Sequence, residues 1–72
     1  MDRKEIIKAI KIYKERYYIP FIYWTDFLGI SNKTFSHWIT GNKNIPSKYI
    51  ETLEKEVKRV AKIIEFAENL EK

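Results

Sequence analysis

Pro20, Gly29, Gly41 and Pro46 are the only prolines and glycines in this 72-residue chain. Proline biases the residue before it away from the helical region, and glycine supplies the left-handed conformation that commonly ends a helix. The segments between these four residues are short. Each carries bulky apolar residues three and four positions apart, the period of an α-helix. The spacing predicts an all-α fold: one domain over 1–72, four helices, no sheet and no linker.

Asp2, with Glu5 three residues later, reads as an N-cap and capping box. From there Ile6, Ile10, Tyr13 and Tyr17 share one face, with Lys4, Lys8, Lys11 and Glu15 opposite, to about Tyr18. Pro20 ends that helix and favours the start of the next, Phe21 to Leu28, which points Trp24 and Leu28 inward. Gly29 stops the second helix and Ile30 returns the chain to the core. Ser31 then caps a third helix, Asn32 to Thr40. Here Phe35, Trp38 and Ile39 form the inner face, while Lys33, Ser36, His37 and Thr40 point outward, flanked by Asn32 and Thr34. Gly41 closes it, and "NKNIP" reads as a polar loop.

The fourth helix runs from Pro46–Ser47 to about Leu70 without a breaker. One stripe, Ile50, Leu53, Val57, Val60, Ile64 and Ala67, extends along its length. A second stripe, Ile63, Phe66 and Leu70, appears only in the last turns, and a small monomer rarely exposes so much apolar surface without a use. The expectation is a homodimer held by Ile63, Phe66 and Leu70; packing of this surface on the first helix is the alternative.

Composition narrows the function classes. A chain this short buries only about 60% of its unfolded surface, so its core is marginal and each bulky residue counts. There is no cysteine and one histidine, His37, which leaves no disulfide framework, thiolate zinc site or cysteine nucleophile. Neither a Gly-rich phosphate loop nor metal-ligand spacing nor a recognisable carboxylate pair is present, so the chain reads as a non-enzyme without cofactor or metal. The charged N-terminus is unlike a signal peptide, and no apolar run approaches a membrane span, which predicts a soluble, cytoplasmic protein. Net charge is +4. Its distribution says more: between Phe27 and Ile50 the charged side chains are Lys33, Lys43 and Lys48, whereas the tail carries Glu65, Glu68 and Glu71 against Lys72. A basic middle points to a polyanionic partner.

Two short helices joined by a glycine turn, the second with a polar outer face, match the helix-turn-helix plan, here about residues 21–40. The run "WTDFLGISNKTFSHWITGNKNIPSKYIETL" resembles the Cro and lambda-repressor-like family, often called XRE, of bacterial and phage regulators. Trp24, Thr25, Leu28, Gly29, Ile30 and Ser31 match its turn. Phe35, Trp38 and Gly41 match its recognition helix, and Pro46, Ser47, Ile50 and Leu53 match the opening of its next helix. Three departures stand out: Thr25 where alanine is usual, Phe21 where a phosphate-contacting glutamine is frequent, and Ile39 where glutamate is common. The long last helix also differs from members with two short helices there.

The resemblance implies a sequence-specific regulator of double-stranded DNA, a phage- or mobile-element-type repressor reading the major groove with helix 32–40. Asn32, Lys33, Ser36 and His37 become the candidate base readers. Thr34, Asn42, Lys43 and Asn44 become candidates for phosphate, contacts that give register and affinity but no sequence information. Ser31 is assigned to capping. The run "YYIPFIYW" raises stacking on single-stranded bases, but helical spacing makes Tyr17 and Trp24 interior and leaves only Tyr18 and Tyr23 free. The alternative from another class is a protein-interaction module on the same fold, an antitoxin or antirepressor with a protein antagonist, acting through the apolar last helix.

Overall fold

The computed structural model describes residues 1–71. It contains four helices: α1 (Arg3–Tyr17), α2 (Phe21–Leu28), α3 (Asn32–Thr40) and α4 (Ser47–Leu70). No strand occurs among the described residues. The chain fills an envelope of 40 × 20 × 20 Å, whose long axis suits the roughly 36 Å of a 24-residue helix.

The caps account for the boundaries. Asp2 accepts from the Glu5 backbone N–H at 2.8 Å, and the Glu5 carboxylate accepts in return from the Asp2 N–H, completing the capping box. Gly29 and Gly41 end α2 and α3 with φ of 69° and 85°. The end of α1 comes one residue earlier than the spacing predicts and three before Pro20. Tyr18 takes the left-handed conformation itself, at φ 58°, and the Ile19 N–H closes back on the Tyr13 carbonyl at 3.2 Å. This conformation is costly for a non-glycine residue, and Tyr18 adopts it in solvent, 87% exposed.

Three isoleucines share one role. Ile19, Ile30 and Ile45 each precede an N-cap residue (Pro20, Ser31, Pro46), in the register of a hydrophobic staple to Trp24, Phe35 and Ile50. All three lie in or against the core, and Ile45 is buried to 1%. The reading of "NKNIP" as a wholly polar loop is therefore corrected at Ile45.

The core is Ile6, Ile10, Tyr13, Trp24, Phe35, Trp38, Ile45, Leu53, Val57 and Val60. Aromatic rings tie the helices together: Tyr13 stacks on Trp24, and Phe21, Phe35, Trp38 and Tyr49 form a chain with centroids 5.4–5.9 Å apart. That chain runs from α2 through α3 to the start of α4, so α3 is gripped on both sides. Thr25 is buried where alanine is usual in the resembled family, with its hydroxyl donating to the Ile22 carbonyl at 3.1 Å. Leu28, expected in the core, is half-buried against its edge.

α1 and α4 lie side by side and run in the same direction. Arg3 reaches the start of α4, the Tyr13 hydroxyl donates to the Val57 carbonyl, and the Tyr17 hydroxyl donates to Glu68 at 2.7 Å. The spacing places Tyr17 inside; it is 39% exposed, because the last turn of α1 meets only the edge of α4. Tyr23, which the spacing leaves free, is engaged instead. It donates to the buried Glu56 carboxylate on α4, which Arg59 grips with two bonds of 2.7 and 2.8 Å. Arg59 also donates to the Tyr23 hydroxyl at 2.9 Å. Hydrogen bonding from Arg59 holds the Glu56 carboxyl below its ordinary range against burial, which pushes it up. This cluster latches α2 onto α4.

Beyond Val60 the cover ends. The first stripe of α4 is buried at Leu53, Val57 and Val60, half-buried at Ile64 and exposed at Ala67. The second stripe lies outside: Ile63, Phe66 and Leu70 are 52%, 67% and 71% exposed. They do not pack on α1, which is already ending at that level. No helix among the described residues is long and apolar enough to cross a membrane.

Candidate nucleic-acid interface

The three-residue turn Gly29–Ser31 joins α2 to α3. Ser31 accepts from the Thr34 backbone N–H at 3.1 Å and its hydroxyl donates to the Thr34 side chain at 2.9 Å. Ser31 is thus the cap that the sequence indicates. The Thr34 hydroxyl is drawn into the cap, yet its side chain remains exposed at the helix start.

Phe35 and Trp38, each 2% exposed, anchor the inner face of α3. That phase turns Asn32, Lys33 and Ser36 into solvent, all of them exposed, and leaves His37 half-buried at the margin. Three of the four candidate base readers therefore lie on the outer surface, and the fourth is partly shielded. Thr40 turns its hydroxyl back to the Ser36 carbonyl at 3.0 Å, which satisfies the last turn from within.

The loop after α3 is fixed at both ends. The Lys43 N–H donates to the His37 carbonyl at 3.1 Å, so the loop backbone is bonded to the helix whose face it extends. At the other end Ile45 enters the core, and the Arg3 guanidinium donates to its carbonyl at 2.6 Å and to the Ser47 hydroxyl at 3.1 Å. Between the two anchors Asn42, Lys43 and Asn44 are all exposed. The candidate phosphate residues are thus presented by a braced loop, next to the α3 face and continuous with it.

Neither brace is part of the sequence-based expectation. An isoleucine before a proline that opens a helix is the staple signature, so a signal for Ile45 exists in the chain. Arg3 leaves no such signal, since its bond spans 42 positions of sequence.

The electrostatics are of one sign. No carboxylate lies in the sequence from Phe27 to Ile50, and the ion pairs among the described residues lie elsewhere, at Met1–Glu54, Lys55–Glu51 and Arg59–Glu56. Lys33 and Lys43 form none of these pairs. Phe21, standing where a polar phosphate contact is frequent in the resembled family, packs its ring on Phe35 at 5.7 Å and carries the Lys14 ammonium 4.1 Å from its ring centroid. No three carboxylate, imidazole or thiolate groups gather as metal ligands among the described residues. The surface offers ammonium donors, hydroxyls and amides on a rigid base, which suits recognition by hydrogen bonding.

No protein-family model, curated protein or solved structure matches this chain.

Proposed function

We propose that this protein is a sequence-specific double-stranded DNA-binding regulator with a lambda-repressor-like helix-turn-helix, α3 lying in the major groove. The observation that carries the reading is the outer face of α3: Asn32, Lys33 and Ser36 exposed on a helix whose inner face is locked by Phe35 and Trp38, beside a braced loop presenting Lys43. The major groove admits an α-helix and presents a donor and acceptor pattern distinct for each base pair. Asn32 has the amide to accept from N6 and donate to N7 on the major-groove edge of an adenine, and Lys33 reaches guanine acceptors or a phosphate. Asn42, Lys43 and Asn44 take the backbone. The resemblance of residues 21–53 to the Cro and lambda-repressor-like regulators supports the same reading, and with it a repressor from a phage or mobile element.

The second reading, a protein-interaction module of the antitoxin or antirepressor kind, is favoured by one observation, the exposed apolar end of α4. Titration of duplex DNA at increasing salt separates the two. A DNA reader loses affinity steeply as salt rises because it displaces condensed counterions, and Lys43→Ala lowers the slope by about 1 while weakening all sequences alike. Binding that is absent, or indifferent to salt, favours the interaction module.

A further inference from the structure

Two cations on one side of α1 reach towards the helix-turn-helix. Arg3, at the start of α1, donates to the Ile45 carbonyl and the Ser47 hydroxyl, and so braces the loop that presents Lys43. Lys14 leaves the same side of the helix three turns later, about 16 Å along its axis. Its ammonium stands 4.1 Å from the centroid of the Phe21 ring. That ring packs in turn on Phe35, an inner anchor of α3, with centroids 5.7 Å apart. Two aromatic contacts therefore tie the Lys14 charge to the first half of α3, while Lys43 follows its C-terminal end. Lys14 is exposed and belongs to none of the ion pairs among the described residues. An ammonium carries three donors, and a ring face engages it from one side only, so donors stay open to solvent.

We infer that Lys14 is a phosphate contact on the flank of the DNA site opposite Lys43, and that Phe21 is the residue that positions it. A helix lying in the major groove, about 12 Å wide, runs between two phosphate backbones. The separation that α1 sets between the braced loop and Lys14 is enough to straddle that width. A lysine stem is long and flexible, and fixing it on a phosphate costs rotamer entropy. Held over a ring that is itself held by α3, the ammonium has lost part of that freedom before DNA arrives. The inference rests on the DNA-binding reading and adds to it a contact from outside the helix-turn-helix.

The experiment titrates the full chain and its variants against a labelled duplex of random sequence, over a range of salt concentrations, with circular dichroism confirming each fold. Lys14→Ala is expected to weaken binding and lower the salt slope by about 1. Lys8→Ala removes an equal charge from the opposite face of α1 and leaves the slope unchanged, so net charge alone does not account for the loss. Lys14→Arg keeps the slope, because a guanidinium also stacks on a ring and binds phosphate. Phe21→Leu keeps an apolar side chain against Phe35 but removes the ring face. It should cost about two- to fivefold in affinity, the worth of an exposed cation–ring contact, and nothing once Lys14 is alanine. A native slope retained in Lys14→Ala overturns the contact. An equal loss from Phe21→Leu with and without Lys14 overturns the positioning role and leaves Phe21 a packing residue. Native protein that binds no duplex overturns the DNA-binding reading first, and the inference with it.

Discussion

α3 and the last third of α4 carry the same kind of apolar signal, residues three and four apart, and the structure treats them in opposite ways. In α3 the stripe is sealed: Phe35 and Trp38 are 2% exposed between α2 and the start of α4. In α4 beyond Val60, Ile63, Phe66 and Leu70 are more than half exposed, because they lie on a face that the last turn of α1, reaching Glu68 through the Tyr17 hydroxyl, does not cover. Periodicity therefore specifies a helix and its apolar face but not whether anything covers that face. Cover depends on which elements end where, a property of the whole topology. In α3 the sealed side frees the polar side to face outward; in α4 the apolar side itself faces outward.

The largest test of this contrast compares one aromatic from each region. Trp38→Ala removes a buried indole and is expected to cost about 3–5 kcal/mol, enough to unfold a domain of this size. Phe66→Ala, measured on dilute protein, changes stability by less than about 0.5 kcal/mol, as exposed sites do. Thermal melts by circular dichroism read both. Equal losses would mean that the α4 end is packed within the protomer.

Ile45 sharpens the account of the loop. Ile45→Ala leaves a cavity under the segment presenting Lys43 and is expected to cost about 2–4 kcal/mol in denaturant unfolding. An effect below about 1 kcal/mol would show that Arg3 and the Lys43–His37 bond hold the loop without the staple.

The smallest effect belongs to the latch between α2 and α4. Glu56 is held below its ordinary range, chiefly by hydrogen bonding from Arg59. A depressed carboxyl stabilises the fold above its unfolded value, about 4.3, and that contribution is lost as pH falls through the folded value. Glu56→Gln is therefore expected to be less stable by about 1 kcal/mol at neutral pH. The gap should close as the pH drops below about 4. Melts across that range check it, and a gap independent of pH would remove Glu56 from the latch.

Much of this fold is legible in the residues for local reasons. The capping box at Asp2 and Glu5, the stops at Gly29 and Gly41 and the cap at Ser31 are set within a few positions of chain, and they delimit the helices. The rest depends on contacts far apart in sequence. Glu56 looks like one more solvated carboxylate until Tyr23 and Arg59 close over it, 33 and 3 residues away. Tyr17 fits the inner stripe by spacing but lies where α1 runs out of partner. In the candidate interface the outward phase of Asn32, Lys33 and Ser36 comes from Phe35 and Trp38 alone. The shielding of His37 and the bracing of the loop by Arg3 come from packing.

The central claim is that the outer face of α3 reads base sequence. Selection of bound duplexes from a random pool tests it most directly, with native protein and the Asn32→Ala and His37→Ala variants compared. Native protein is expected to enrich one defined site. Each variant should lose about 1–3 kcal/mol on that site and relax preference at one or two positions. Enrichment that is the same for all three proteins, or no enrichment of any duplex, would contradict the claim.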